Sequence, residues 1–207
     1  MDPRLLEAAR SAKGFMPDDE GRALHDAALA ASLSVGGPLL EIGTYCGKSA
    51  VYLGAAARAA GTIVFTVDHH RGSEENQSGW EHHDTEVVDP LTGRMDTLPY
   101  FRRVIEGAEL EDVVVALIGY SVPIASAWQT PLAFLFIDGG HALDVAMADF
   151  EGWAKFVPVG GTLAIHDVFE HESEGGQAPF EVYRRALAEG FEDLNSVGSL
   201  RTLVRSS

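Results

Sequence analysis

The run Leu39-Leu40-Glu41-Ile42-Gly43-Thr44-Tyr45-Cys46-Gly47-Lys48-Ser49 constrains this chain more than any other stretch. An apolar strand breaks into a glycine turn, and the turn feeds an alanine-rich helix that runs to Ala60. One strand later, Val64-Phe65-Thr66-Val67-Asp68 is an apolar run that stops on a carboxylate. A glycine turn at one strand end and an acid at the next is how open α/β sheets hold a nucleoside. The pairing sets the expectation of an adenosine-containing cofactor. Gly43 and Gly47 would let backbone approach it closely. Glu41 would accept hydrogen bonds from an amino group, and Asp68 from the two ribose hydroxyls. The spacing E-x-G-x-x-x-G differs from G-x-G-x-x-G, and Lys48-Ser49 lacks the upstream glycines of a phosphate loop. A cofactor without a pyrophosphate fits better.

Strands and helices alternate downstream. The apolar runs predict strands at 38–42, 63–67, 113–118, 133–137 and 162–165, nearly continuous as in a parallel sheet covered on both faces. Helices are expected at 3–12, 18–33, 47–60, 98–107, 122–128, 142–156 and 179–189. Residues 191–197 and 200–204 are separated by Gly198-Ser199 and read as a terminal hairpin. The segment 69–97 has no periodic pattern and is rich in His, Glu and Asp. A loop of that length, starting at a strand's carboxyl end, reads as a lid or acceptor-binding segment. The expected organisation is one domain over 1–207, with N-terminal helices in 1–35 and the lid at 69–97.

A length of 207 residues suffices for a sizeable core. The net charge of −16 disfavours nucleic acid and anionic membranes as partners. A single cysteine, Cys46, excludes an internal disulfide and fits a reducing compartment. No signal peptide and no membrane span is expected, so the location reads as cytoplasmic.

The remaining strand ends carry the chemistry. Gly119-Tyr120-Ser121 follows the third strand, and Ser121 would cap the next helix or contact an adenine. The fourth strand ends Phe136-Ile137-Asp138-Gly139-Gly140-His141, and the fifth ends Ile165-His166-Asp167. Neighbouring strands that both end in Asp point two carboxylates into one crevice, where they repel unless a cation or proton lies between them. A hard dication such as Mg²⁺ would satisfy both. His141 is placed to take a proton from a hydroxyl. His166 is either a ligand or a neighbour that shapes the pocket.

Taken together, the glycine turn, Asp68, Asp138, His141, Asp167 and the terminal hairpin resemble class I S-adenosylmethionine-dependent methyltransferases over roughly 39–171. Within them the chain is similar to the metal-dependent O-methyltransferases, including the catechol and macrolide-sugar types. More narrowly it resembles mycobacterial sugar methyltransferases that act on the 1-hydroxyl of mannosides in methylmannose polysaccharide synthesis. The resemblance implies a doubly wound, Rossmann-like seven-stranded sheet, mostly parallel with an antiparallel C-terminal hairpin. It implies S-adenosylmethionine on Glu41, Gly43, Gly47, Ser49, Asp68, Gly119, Ser121 and Asp138. It implies Mg²⁺ on Asp138 and Asp167, with His166 where the family has an oxygen ligand, and His141 as the general base. A sugar acceptor would meet His69, Arg71, Trp80, His82 and His83, and the enzyme would be a homodimer. The alternatives are a phenolic or macrolide-sugar acceptor, an NAD-dependent oxidoreductase, and a non-catalytic S-adenosylmethionine-binding protein.

Overall fold

A computed structural model describes residues 1–72, 84–140 and 142–207. Seven strands form one sheet: β1 (Leu39–Ile42), β2 (Val64–Asp68), β3 (Val114–Ile118), β4 (Phe134–Ile137), β5 (Thr162–Ile165), β6 (Phe191–Val197) and β7 (Leu200–Arg205). Their order is β3-β2-β1-β4-β5-β7-β6. The first five run parallel; β7 pairs antiparallel with β5 and β6 antiparallel with β7. The doubly wound sheet with a terminal hairpin is therefore the architecture expected from sequence. Chain order reverses between β1 and β4, which opens a crevice at their carboxyl ends.

Both faces are covered. Leu39, Phe134, Phe136 and Ala164 pack beneath α1 (Pro3–Ser11), α2 (Asp18–Val35), α3 (Lys48–Ala60) and α4 (Leu98–Gly107). Leu40, Ile42, Leu135, Ile137, Leu163 and Ile165 face α5 (Ser121–Ala127), α6 (Leu143–Trp153) and α7 (Ala178–Ala188). The two-residue alternation puts every other side chain of a strand on the opposite face. Glu41 therefore shares the α3 side with Leu39.

Most element ends fall within one residue of expectation, and three departures are larger. The helix expected at 142–156 ends at Trp153 and tightens into a 3₁₀ turn, Ala154–Phe156. Helix α2 continues to Val35 and stops at Gly36, whose φ of +74° suits glycine. The end of the expected lid is folded: Thr85–Val87 is a 3₁₀ turn, Val88 bridges to Met95, and buried Val87 and Met95 pack on Cys46. Lys13 fastens this piece to the N-terminal region through Asp84 and Glu86, each at 2.5 Å.

Candidate active site

The crevice begins where β1 and β4 end together. Ile42 is paired with Ile137, and the Asp138 amide donates to the Ile42 carbonyl at 2.9 Å. A Cβ on Gly43 would lie 2.0 Å from the Asp138 carbonyl oxygen, and Gly43 has a φ of +87°. Glycine is therefore required on both counts. Asp68, at the tip of β2, holds the turn that follows. Its Oδ2 accepts from the Thr44 and Tyr45 amides at 3.0 and 2.9 Å, and its Oδ1 from the His70 amide at 2.7 Å.

Two cavities meet at this point. The larger, about 870 Å³, is lined by Gly43, Asp68, His69, Gly119, Ser121, Asp138 and Asp149, among others. The smaller, about 380 Å³, is walled by Phe15, Tyr45, Lys48, His166, Asp167 and Phe169 and also touches Ser49. Gly43, Tyr45, Asp138 and Gly139 border both.

In the wall of the smaller cavity Asp138, His166 and Asp167 each offer a donor atom, all within 4.8 Å of one another, and Asp138 borders the larger cavity as well. The His166 Nδ1 lies 3.1 Å from Asp138 Oδ1 and 3.5 Å from Asp167 Oδ2. Adjacent corners of an octahedron with bonds of about 2.1 Å are about 3.0 Å apart, so the donors present fit a divalent cation. Asp167 reaches the cluster from left-handed backbone, φ +55°, a conformation an aspartate tolerates better than most residues.

On its other side, His166 Nε2 is 2.6 Å from Glu20 Oε2 in the first turn of α2. The Glu20 Oε1 accepts from the amide and hydroxyl of Ser199. Burial disfavours charge on His166, but Asp138, Glu20 and Asp167 outweigh it and raise its pKa to about 11. Burial likewise opposes charge on Glu20, and the bonds from His166 and Ser199 overcome it, holding that carboxyl below its ordinary value.

The expected cofactor residues separate. Gly43, Asp68, Gly119, Ser121 and Asp138 line the larger cavity, whereas Ser49 lines the smaller. Gly47 packs toward Phe101, and Glu41 is fully buried; neither lines either of these two cavities. Neither Glu41 oxygen has a hydrogen-bond partner among the described residues. Its burial pushes its pKa up to about 8, against the lowering effect of the nearby Ser49 and Thr44 hydroxyls. Ser121 makes no cap; its Oγ accepts from the Trp153 indole at 2.8 Å. His69 lies against the Tyr120 ring in the larger cavity. Arg71 turns to the Met95 carbonyl and Asp96. His141, Trp80, His82 and His83 lie outside the described residues.

Sequence reasoning missed the cavity-wall residues Phe15, Tyr45, Gly139 and Phe169 and two buried acids. Glu20 was hidden in an acidic first turn, Asp18-Asp19-Glu20, the usual complement of a helix dipole. Asp149 on α6 is 3% exposed yet lines the larger cavity, and burial raises its pKa to about 6 against a Ser121 bond. The buried acid in an apolar helical stretch was the available signal.

A family model described as a methyltransferase domain matches residues 40–168. Among solved structures, an O-methyltransferase from Bacillus cereus in complex with SAH aligns with TM-score 0.66 and 20% identity, over 99% of this chain and 91% of that one. The O-methyltransferase TomG from Streptomyces achromogenes, involved in tomaymycin synthesis and in complex with SAM, gives 0.66 and 15%, over 100% and 91%. The calicheamicin methyltransferase CalS11 gives 0.65 and 17%, over 99% and 91%. At these identities the likeness is one of fold.

Proposed function

The chain belongs to the methyltransferase-domain family, and on that premise we propose that it moves the methyl group of S-adenosylmethionine to a hydroxyl of a small acceptor, with a divalent cation assisting. The observation that carries this reading is the shared wall: Gly43, Tyr45, Asp138 and Gly139 border both cavities. A donor in the larger and an acceptor in the smaller would face each other across Asp138. When bound, S-adenosylmethionine supplies an electrophilic methyl: the acceptor oxygen forms the C–O bond, the C–S pair stays on sulfur, and the hydroxyl proton goes to a base. A cation on Asp138, His166 and Asp167 would lower the pKa of that hydroxyl.

The chain's residues do the positioning. Asp68 orders the turn through the Thr44 and Tyr45 amides and faces the larger cavity, as a ribose partner would. Ser121 and Asp149 supply polar groups for an adenine in the same cavity. His141 is proposed as the base on its spacing from Asp138 alone. Phe15 and Tyr45, with ring centroids 5.5 Å apart, and Phe169 wall the smaller cavity. Aromatic faces suit the apolar side of a sugar ring, the proposed acceptor, a mannoside hydroxyl included. The same wall suits a phenol, the second reading.

No helix among the described residues is long and apolar enough to cross a membrane. A cytoplasmic location, supported by the lone thiol, and a homodimer, checked by sedimentation, complete the proposal.

The test is methyl transfer from labelled S-adenosylmethionine to mannosides, phenols and macrolide sugars, with and without chelator. His141→Ala should keep cofactor binding and lose roughly 10²-fold or more in turnover. Calorimetric binding of NAD in place of S-adenosylmethionine would overturn the reading. Failure to methylate any acceptor, with S-adenosylmethionine bound, would point to a non-catalytic binder.

A further inference from the structure

Two carboxylates alone at the end of β4 and β5 would suit the Mg²⁺ expected from sequence, because that ion prefers oxygen donors and keeps much of its water. The third donor changes the chemistry. The Nδ1 of His166 faces Asp138 Oδ1 at 3.1 Å and Asp167 Oδ2 at 3.5 Å. Its Nε2 is bonded to Glu20 Oε2 at 2.6 Å, and both side chains are 5% exposed.

Glu20 is itself fixed. Its Oε1 accepts from the Ser199 amide at 2.5 Å and the Ser199 hydroxyl at 3.1 Å. The hairpin turn closes over it: a Cβ on Gly198 would come within 2.0 Å of the same oxygen. A carboxylate held this way keeps the Nε2 proton on its own side of the ring. A cation that binds here displaces the Nδ1 proton held by the surrounding carboxylates, and the freed Nδ1 lone pair then points into the space it shares with the two aspartates. Histidines that ligate metals are oriented by such an outer carboxylate, which fixes the tautomer and raises ligand basicity.

We infer that Glu20 and His166 make this a mixed nitrogen–oxygen site that takes a first-row transition dication of the Fe²⁺, Co²⁺ or Zn²⁺ kind in preference to Mg²⁺. Imidazole suits these ions, whereas Mg²⁺ gains little from a nitrogen donor. Glu20 acts here as a positioning residue, through His166. The inference rests on the reading that Asp138, His166 and Asp167 hold a cation.

The test is a Co²⁺ titration of the metal-free full chain, followed by its visible d–d absorption, with Mg²⁺ as competitor and no turnover required. Co²⁺ should bind at least about 10²-fold more tightly than Mg²⁺. Glu20→Gln should weaken Co²⁺ roughly 10–100-fold and change the absorption bands, an effect a merely structural role would not produce. Glu20→Asp should recover part of the affinity. His166→Asp, which does not depend on Glu20 variants folding, should weaken Co²⁺ at least tenfold and bring Mg²⁺ level with it. Equal affinities for the two ions in the unaltered protein, or an unchanged Co²⁺ affinity in His166→Asp, would overturn the inference alone. Binding of neither ion would overturn the cation reading and this inference with it.

Discussion

The Cα of Gly43 faces the Asp138 carbonyl so closely that a methyl group there would sit 2.0 Å from its oxygen. This contact brings the β1 turn and the β4 end together, and both residues border both cavities. Gly43→Ala meets a backbone atom, which cannot swing aside as a flexible side chain would, and it also forces a left-handed alanine. We expect a loss of at least about 2 kcal/mol in stability. S-adenosylmethionine binding should fall with it. Chemical denaturation and calorimetry check the two effects, and unchanged binding in a folded variant would remove the turn from the cofactor site.

Asp68 has a structural duty besides any ligand contact. Three backbone amides, of Thr44, Tyr45 and His70, donate to its carboxylate. Bonds to a charged acceptor contribute about 1.5–3 kcal/mol each when the partner is lost. Asp68→Ala should therefore lower the melting temperature and weaken S-adenosylmethionine at least about tenfold, whereas Asp68→Asn, which retains one acceptor oxygen, should fall between. Separate losses can be read from melting with and without cofactor. A normal melting temperature for Asp68→Ala would deny the turn-holding role.

Cys46 sits in the same turn and invites a reactive-thiol reading. The structure argues for an inert one. Its side chain is fully buried, and burial pushes its pKa up to about 12, with Lys13 opposing the rise. The thiolate needed for nucleophilic attack is scarce at neutral pH. An aromatic disulfide reagent at pH 8 should leave the native protein unmodified and label one thiol after denaturation. Cys46→Ala should retain turnover within roughly twofold. Rapid labelling of the native chain would contradict this.

The residues legible from sequence are those that stop an apolar strand or bend the chain beyond it. Asp68, Asp138 and Asp167 each follow a run whose periodicity breaks on a charge, and Gly43 precedes a helix start. Such signals are local. Glu20 left none: its partner His166 is 146 residues away, and contact arises only because α2 packs against the sheet end where the hairpin turn returns. The tail of the expected lid failed to read as structure for a related reason. Val87 and Met95 gain their core role from Cys46, which lies far upstream. Glu41 was read toward the ligand because it lies near a strand end, but the strand's two-residue period turns it to the side of Leu39 and α3.

Glu41 has a consequence for pH. Its carboxyl is fully buried with no bonded partner among the described residues, and burial raises its pKa from 4.5 to about 8. The folded chain then binds a proton there that the unfolded chain releases near 4.5. Stability falls wherever the native state holds more protons than the unfolded one. The contribution of Glu41 is thus complete below about 4.5 and is lost as pH rises through about 8. Glutamine has nearly the same shape and no proton to lose. Glu41→Gln should therefore melt close to the parent at pH 5 and above it at pH 8 to 9, with the gap widening between. Melting curves of the metal-free, cofactor-free proteins across that range check it. Parallel pH profiles for the two chains would mean that Glu41 does not take up its proton on folding.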